Sequence, residues 1–441
     1  MKKRKIVLIG AGSSVFTQGL VADFITSGKD FAPLEIGLVD IDEKALDSIT
    51  KLTKKMVEVK AADMEIHSSV DRRELLPNAD VVITTIAVGG RRAWEDDVFI
   101  PRKYGIYQPV GDTTMPGGIS RAQRMIPVML EIARDIQELC PNAYFFNYSN
   151  PMTAICAAIH KELGMNVIGL CHGVIHVEQY LARYLGRKLS EVKSIGVGLN
   201  HLTFLYDIRV SGEDAKQLLI ERYYELQKKE TLQYADNPFS WTFFEKYKMF
   251  PAVLDRHVVE FFPERFASGD YYGKKLGVEA ISFEDVIADG DRIYEEMHEM
   301  ADGRRELNHH LFKRSDGEHE QLVDILHSLY FDERKIFSVN MPNNGAIPNL
   351  PRHAVLELPA VAAAGGFKPL YLPDYPSIAA SFIRKRLTVV DLTVEAALTG
   401  DVSLFVEALL ADGSVQTEGA ALRLAHELLE ANREHLPQYF S

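Results

Sequence analysis

Cys171, His172 and His201 are the side chains whose types and spacing best suit chemistry in this chain. One thiolate at Cys171 and one imidazole at His201 suit a divalent transition ion such as Mn, Co, Ni or Fe, with coordination positions left open for hydroxyl groups of a substrate. A structural zinc would want a full set of protein ligands at close spacing, and no second cysteine stands near Cys171. The same spacing also describes a packed cysteine and an unrelated histidine. His172, beside the thiolate, can carry a proton. Further on, Leu254-Asp255-Arg256-His257-Val258-Val259-Glu260 gathers carboxylate, guanidinium and imidazole in one short segment, as acid–base work requires and as a charged loop also supplies. Asn150, in Asn147-Tyr148-Ser149-Asn150-Pro151, offers both a donor and an acceptor to neighbouring hydroxyls, although Asn-Pro is equally a turn signal.

These groups need elements to hold them, and the N-terminus shows which kind. The strand pattern Lys5–Ile9 runs straight into Gly10-Ala11-Gly12-Ser13-Ser14, which opens a helix. Gly10 permits a tight turn, Gly12 lets the backbone approach a pyrophosphate, and the helix N-terminus supplies free N–H groups for the anion. Val15 stands where the fingerprint has its third glycine. Asp40, closing the second strand, would accept from ribose hydroxyls and repel a 2′-phosphate, which favours NAD over NADP. Gly89 and Gly90 follow the fourth strand, where a dinucleotide crosses an open sheet. Of Arg91 and Arg92 beside them, one suits a ligand anion and the other an ordinary loop charge.

Short β-branched runs at 5–9, 34–39, 64–67, 81–86, 144–147 and 167–170 alternate with helical periodicity at 14–27, 43–59 and 121–139. Runs that do not alternate with polar residues fit strands buried on both faces, and strands separated by helices give a doubly wound parallel sheet. The fold expected is therefore α/β: an N-terminal Rossmann-type sheet over 1–195, similar to lactate and malate dehydrogenases, and a mixed α+β substrate, metal and oligomerisation domain over 196–441. In the second half, 201–210 reads as a strand with a turn at 211–214, and 215–330 as mostly helical. The aromatic cluster at 240–251 suits either core or an interface. Residues 339–351 read as a Pro/Gly/Asn-rich loop, followed by helices to the C-terminus.

The net charge of -13, with no local basic run, argues against a nucleic-acid surface. It also means that an anionic substrate needs dedicated arginines or helix N-termini. The basic start gives way to only a short apolar run before Gly10, too short for a signal h-region, and nothing approaches the roughly 18 apolar residues of a membrane span. Three cysteines, Cys140, Cys156 and Cys171, are few and odd in number, which reads as a reduced, cytoplasmic protein.

Taken together, the glycine turn with Asp40, GDTTMPGG at 111–118, NYSNPM at 147–152, CHG at 171–173, GLNH at 198–201, DRHVVEFFP at 255–263 and VNMPNNGAIPNLP at 339–351 resemble family 4 glycoside hydrolases, from residue 5 to about residue 360. The resemblance implies an NAD-assisted elimination with no net oxidation, a recognised exception to the two-carboxylate scheme of glycosidases. Hydride passes from C3 of the sugar to bound NAD⁺, and the ketone so formed acidifies the C2 proton. A base removes that proton while the metal holds the C2 and C3 oxygens. The aglycone then leaves from C1, water adds, and the hydride returns. On this resemblance Cys171 and His201 match the metal ligands, with Mn²⁺ foremost, and Asn150 a sugar contact. Asp255 matches the C2 base of the α-glucosidase-like members, where other branches use a Tyr, His172 the position of the leaving-group acid, and Asp112 a loop that faces the sugar or the outer partners of the metal ligands. A homodimer or homotetramer is implied as well.

Cys-His-Gly resembles the branch acting on α-linked uronic acids, α-glucuronides or α-galacturonides. Gly173 would leave room for a carboxylate, with Arg91, Arg92 or Arg256 to pair with it in bidentate fashion. Three alternatives share parts of this reading: a neutral-sugar α-glucosidase or α-galactosidase, a net NAD-dependent 2-hydroxy acid dehydrogenase, and a non-catalytic NAD sensor.

Overall fold

The computed structural model describes residues 3–228, 236–312 and 321–440. The first half alternates β1 (Arg4–Ile9), α1 (Phe16–Ser27), β2 (Leu34–Val39), α2 (Glu43–Lys60), β3 (Met64–Ser69), β4 (Val81–Thr84), α3 (Gly90–Arg102), α4 (Met115–Leu139), β5 (Tyr144–Asn147), α5 (Met152–Leu163), β6 (Val167–Gly169) and α6 (Gly173–Leu185). All neighbours within the order β3-β2-β1-β4-β5-β6 run parallel. That order is the doubly wound arrangement whose ligands gather at the carboxyl ends of the strands. Ile6, Val7 and Leu8 of β1 are all buried, as expected of a strand covered by helices on both faces. Helix α2 packs Ala45, Leu46, Ile49, Leu52 and Met56 inward at helical spacing, and its N-cap Asp42 accepts from the amides of Lys44 and Ala45.

The second half continues with β7 (Val192–Leu199), β8 (Leu202–Val210), α7 (Lys216–Lys228), α8 (Pro238–Tyr247), β9 (Phe250–Pro251), α9 (Phe283–Ala301), α10 (Leu322–Phe331), β10 (Lys335–Pro342), β11 (Val355–Ala363), β12 (Gly366–Pro369), α11 (Ser377–Thr399), α12 (Val402–Asp412) and α13 (Glu418–Ala431). The sheet does not stop at the expected boundary near 195. It goes on past β6 through β10, β11, β7, β8 and β9. The joins are antiparallel, with Asn340 opposite Gly169 and Glu357 opposite Gly198.

Two expectations for this half change. Residues 339–351 are not a loop throughout, because β10 runs to Pro342 and the irregular stretch begins at Asn343. The buried amide of Asn343 donates to the carbonyls of Ile347 and Leu350, which keeps that stretch compact. The chain then forms β11 and β12 before its helices, whereas helices alone were expected. Pro359 and the alanines of β11 give the sequence too little β-branched character to reveal a strand. The helical expectation over 215–330 includes 229–235 and 313–320, which lie outside the described residues. Trp241, Phe243, Phe244 and Phe250 are buried, so this aromatic cluster is core. Among the described residues, no helix is long and apolar enough to cross a membrane.

Candidate active site

The glycine turn closes β1 in the conformation a dinucleotide requires. Gly10 has φ +88°, and the amides of Gly10 and Ala11 both donate to the carbonyl of Val39 at 2.9 Å. The Gly12 amide donates to Oδ2 of Asp40 at 2.7 Å, and a Cβ on Gly12 would lie 2.8 Å from that oxygen and 2.8 Å from Cβ of Ala45. Only glycine fits there. Burial raises the Asp40 carboxyl, against the lowering effect of the amides of Asp42 and Gly12. Helix α1 begins at Phe16, so Val15 stays outside it and is 59% exposed. A residue in that position has no strand to pack on and need not be glycine. Beside the turn opens a cavity of about 400 Å³, lined by Gly10, Gly12, Ser13, Ser14, Asp40 and Gly90 among others.

A second group assembles from three distant segments. Donor atoms of Asp112, His201 and His257 all lie within 4.8 Å of one another, and the two imidazole rings are 4.0 Å apart centre to centre. His201 occupies the two-residue turn between β7 and β8 and has φ +65°, a strained conformation for a histidine and one that tends to mark functional positions. Thr113 Oγ1 donates to Asp112 Oδ1 at 2.6 Å and lies 2.8 Å from Nδ1 of His201. Its single hydrogen is spent on the carboxylate, so His201 Nδ1 is the donor to Thr113 and Nε2 keeps its lone pair. Burial works to raise the Asp112 carboxyl, but the charges of His201, His257 and Arg121 outweigh it and hold it low. Burial lowers both imidazoles, and the charge of Arg256 lowers them further. Nδ1 of His257 is buried without a partner. Burial drives the two imidazoles toward the neutral form, while Asp112 gains from positive charge beside it, and a divalent ion supplies that charge in place of protons on the rings.

The loop carrying Asp112 is fastened from the same segment as His257. Glu260, fully buried, accepts from the amides of Val110 and Gly111 at 2.8 and 2.7 Å. Asn150 Nδ2 donates to Asp112 Oδ2 at 2.9 Å, while its Oδ1 is buried without a partner. Both side-chain atoms of the neighbouring Asn200 are likewise buried and unpartnered. Orphaned polar atoms of this kind call for a partner from outside the chain, a water or a ligand group.

Several expected residues sit elsewhere or act otherwise. Asp255 is not available as a base: its oxygens accept from the amides of Phe239 and Ser240 at 2.8 Å, from Ser240 Oγ at 2.6 Å and from Tyr271 OH at 2.6 Å. This carboxylate holds the start of α8. Gly173 leaves no room for a substrate carboxylate, because a Cβ there would meet Cγ1 of Val253 at 2.5 Å and the Ala252 carbonyl at 3.0 Å. Arg91 lines the dinucleotide cavity over the Tyr294 ring, bound to Asp291 at 2.6 Å. Arg92 pairs with Glu95 and the same Asp291. Gly89, at φ +76°, caps α3 and backs on Ala93 and His435. Cys171 is half-buried at the end of β6, where its sulfur accepts the Gly173 amide at 3.4 Å. It is not one of the three clustered donors. His172 stacks on Phe16 at 6.5 Å and on His176 at 5.4 Å.

Sequence reading passed over three residues that the fold brings in. His257 was visible in the 254–260 segment, but its partners lie far along the chain. Glu260 closes that same segment, and nothing in the sequence showed which loop it would fasten. Arg121 only opens the helix-patterned stretch 121–139 in the sequence, yet it is buried, lines the dinucleotide cavity and donates through Nε to the Asn150 carbonyl at 3.1 Å.

A family model described as "Family 4 glycosyl hydrolase" matches residues 5–187, and one described as "Family 4 glycosyl hydrolase C-terminal domain" matches residues 196–415. The chain is 31% identical to a Bacillus subtilis (strain 168) protein named "Probable 6-phospho-beta-glucosidase", covering 100% of this chain and 99% of that one. It is 28% identical to an "Alpha-galacturonidase" of Thermoanaerobacterium saccharolyticum, covering 98% and 96%. The solved 6-phospho-beta glucosidase of Thermotoga maritima with manganese, NAD+ and glucose-6-phosphate superposes at a TM-score of 0.81 and 27% identity, covering 98% of this chain and 99% of that one. With two family models spanning most of its length, a dinucleotide turn and a three-donor cluster, the chain belongs to family 4 of the glycosyl hydrolases and is a glycosidase.

Proposed function

We propose that this glycosidase hydrolyses α-linked uronides, glucuronides or galacturonides, using NAD and a divalent metal, foremost Mn²⁺. The observation that carries the uronide assignment is Arg256. Its side chain is exposed and makes no hydrogen bond or ion pair among the described residues, and it directly precedes His257 of the donor cluster. A free guanidinium beside the clustered imidazoles is suited to bidentate pairing with a sugar carboxylate, in a protein whose overall charge of -13 repels anions. The relative named alpha-galacturonidase supports the same reading.

In this proposal the glycine turn, Asp40 and Gly90 hold NAD. Asp112, His201 and His257 hold the ion together with Cys171, which the family resemblance adds. When bound, these two groups supply a reversible hydride acceptor for C3 and a Lewis acid for the C2 and C3 oxygens. Asn150 is fixed by Asp112 so that its free Oδ1 accepts a sugar hydroxyl. Thr113 keeps His201 in the tautomer with Nε2 free. His172 is the proton carrier, and the C2 base is a group other than Asp255.

The test is a panel of p-nitrophenyl α-glucuronide, α-galacturonide, α-glucoside, α-galactoside and 6-phosphoglucosides, with NAD⁺, Mn²⁺ and a thiol. Turnover of the uronides without NADH accumulation, and deuterium from D₂O at C2 of the product, is the expected result. Turnover confined to neutral or phosphorylated sugars would sink the uronide reading.

A further inference from the structure

Arg121 is a buried cation without a counter-ion. It lies on α4 and is 8% exposed, and among the described residues it makes no ion pair. Nε is used on the Asn150 carbonyl at 3.1 Å, and the guanidinium stands 5.9 Å from the centre of the Trp94 ring. Its terminal nitrogens have no hydrogen-bond partner among the described residues and belong to a residue that lines the dinucleotide cavity. Burial works against its charge, as does Arg124, while Asp112 and Asp97 favour it. An arginine stays protonated under such conditions, so the site holds a fixed positive charge open to a ligand.

Position along the sheet indicates which part of the ligand meets that charge. In a 3-2-1-4-5-6 sheet the pyrophosphate crosses at the turn after β1. Asp40, after β2, marks the adenosine side. Arg121 is fastened to Asn150, after β5, on the opposite side of the crossing, and the Asn150 side chain in turn donates to Asp112 of the donor cluster at 2.9 Å. That is the nicotinamide side of the crossing.

We propose that Arg121 drives hydride transfer, by disfavouring the positively charged nicotinamide ring and favouring negative charge on the C3 oxygen. This rests on the NAD assignment made above. In the step concerned, the C3–H bond breaks and its electron pair and hydrogen form the new bond at C4 of the nicotinamide. The ring loses its positive charge, the C3 hydroxyl gives its proton to a base, and C3 becomes a ketone. A fixed cation beside the ring opposes the oxidised cofactor and tolerates the reduced one. The return of hydride at the end of the cycle is correspondingly slower, so Arg121 sets the balance between the two half-reactions.

The test is the ratio of dissociation constants for NAD⁺ and NADH, measured by calorimetry on the full chain with Mn²⁺ and no sugar. The wild type is expected to bind NADH more tightly than NAD⁺. Arg121→Met should shrink that ratio roughly tenfold through tighter NAD⁺ binding, and Arg121→Lys should keep most of it. Equal weakening of both forms would make Arg121 a pyrophosphate anchor and overturn the proposal, as would an unchanged ratio. A wild type that prefers NAD⁺ would overturn it without any variant having to fold. No binding of either form would instead refute the NAD assignment, and the substrate panel tests the uronide reading separately.

Discussion

Oε1 of Glu260 accepts the Gly111 amide at 2.7 Å, and through that bond a residue of the 255–261 turns sets the position of Asp112. Burial pushes the Glu260 carboxyl up to about 8, against the lowering effect of the two amides it accepts. Its ordinary value is 4.5, so between 4.5 and 8 the folded chain keeps a proton that the unfolded chain loses. The stability this group contributes is therefore complete below 4.5 and is lost as pH rises through 8. Glu357, pushed up by burial to about 7, acts in the same sense. Glu260→Gln keeps the accepting oxygen and removes the titration. Urea unfolding across this pH range should show a shallower decline for the variant, and equal slopes would contradict the assignment.

Thr113 fixes the tautomer of His201 without belonging to the donor cluster. Thr113→Val removes the hydroxyl and keeps the shape. Outer partners of metal-bound histidines are typically worth roughly 10- to 100-fold in metal affinity, and a loss of that size is expected in Mn²⁺ titrations. Unchanged affinity would show that the hydroxyl does not orient the imidazole.

Asp255 separates a structural from a catalytic carboxylate. Asp255→Asn turns an amide hydrogen toward donors that need an acceptor. A destabilisation on the order of 3 kcal/mol is expected from chemical denaturation, with kcat of the folded enzyme largely kept. A general base would behave the other way, losing roughly 10²- to 10⁴-fold in kcat at unchanged stability.

Gly12→Ala places a methyl group against Asp40 and Ala45. Either the carboxylate moves or the turn opens, and one hydrogen bond to a charged group is lost. NAD⁺ binding, followed by calorimetry, is expected to weaken roughly tenfold. Retention of full affinity would count against this turn as the dinucleotide site.

The parts of the site that the sequence made legible are those written in one short stretch. Gly10, Gly12 and Asp40 sit where strands end, and their residue types follow from local backbone demands. His201 could be singled out by type, although the left-handed turn that presents it could not. Gly173 was misread because its neighbours Val253 and Ala252 arrive from a distant segment. Asp255 looked reactive for the same reason, since the hydroxyls and amides that bind it come from residues 239–240 and 271. Arg121 left no signal, because a charge on an amphipathic helix normally faces water and only the packing of α4 shows that this one is buried. Strand β11 was hidden by its own composition.

The single register at which Asn340 faces Gly169 carries a practical consequence. A fragment ending between the two family models would strip β10 from β6 and leave a short parallel strand as an open edge. Such an edge recruits other chains, so the isolated N-terminal half is expected to self-associate rather than behave as a free nucleotide-binding module. For the same reason the glycine turn after β1 and the β7–β8 turn that presents His201 stand on one continuous sheet.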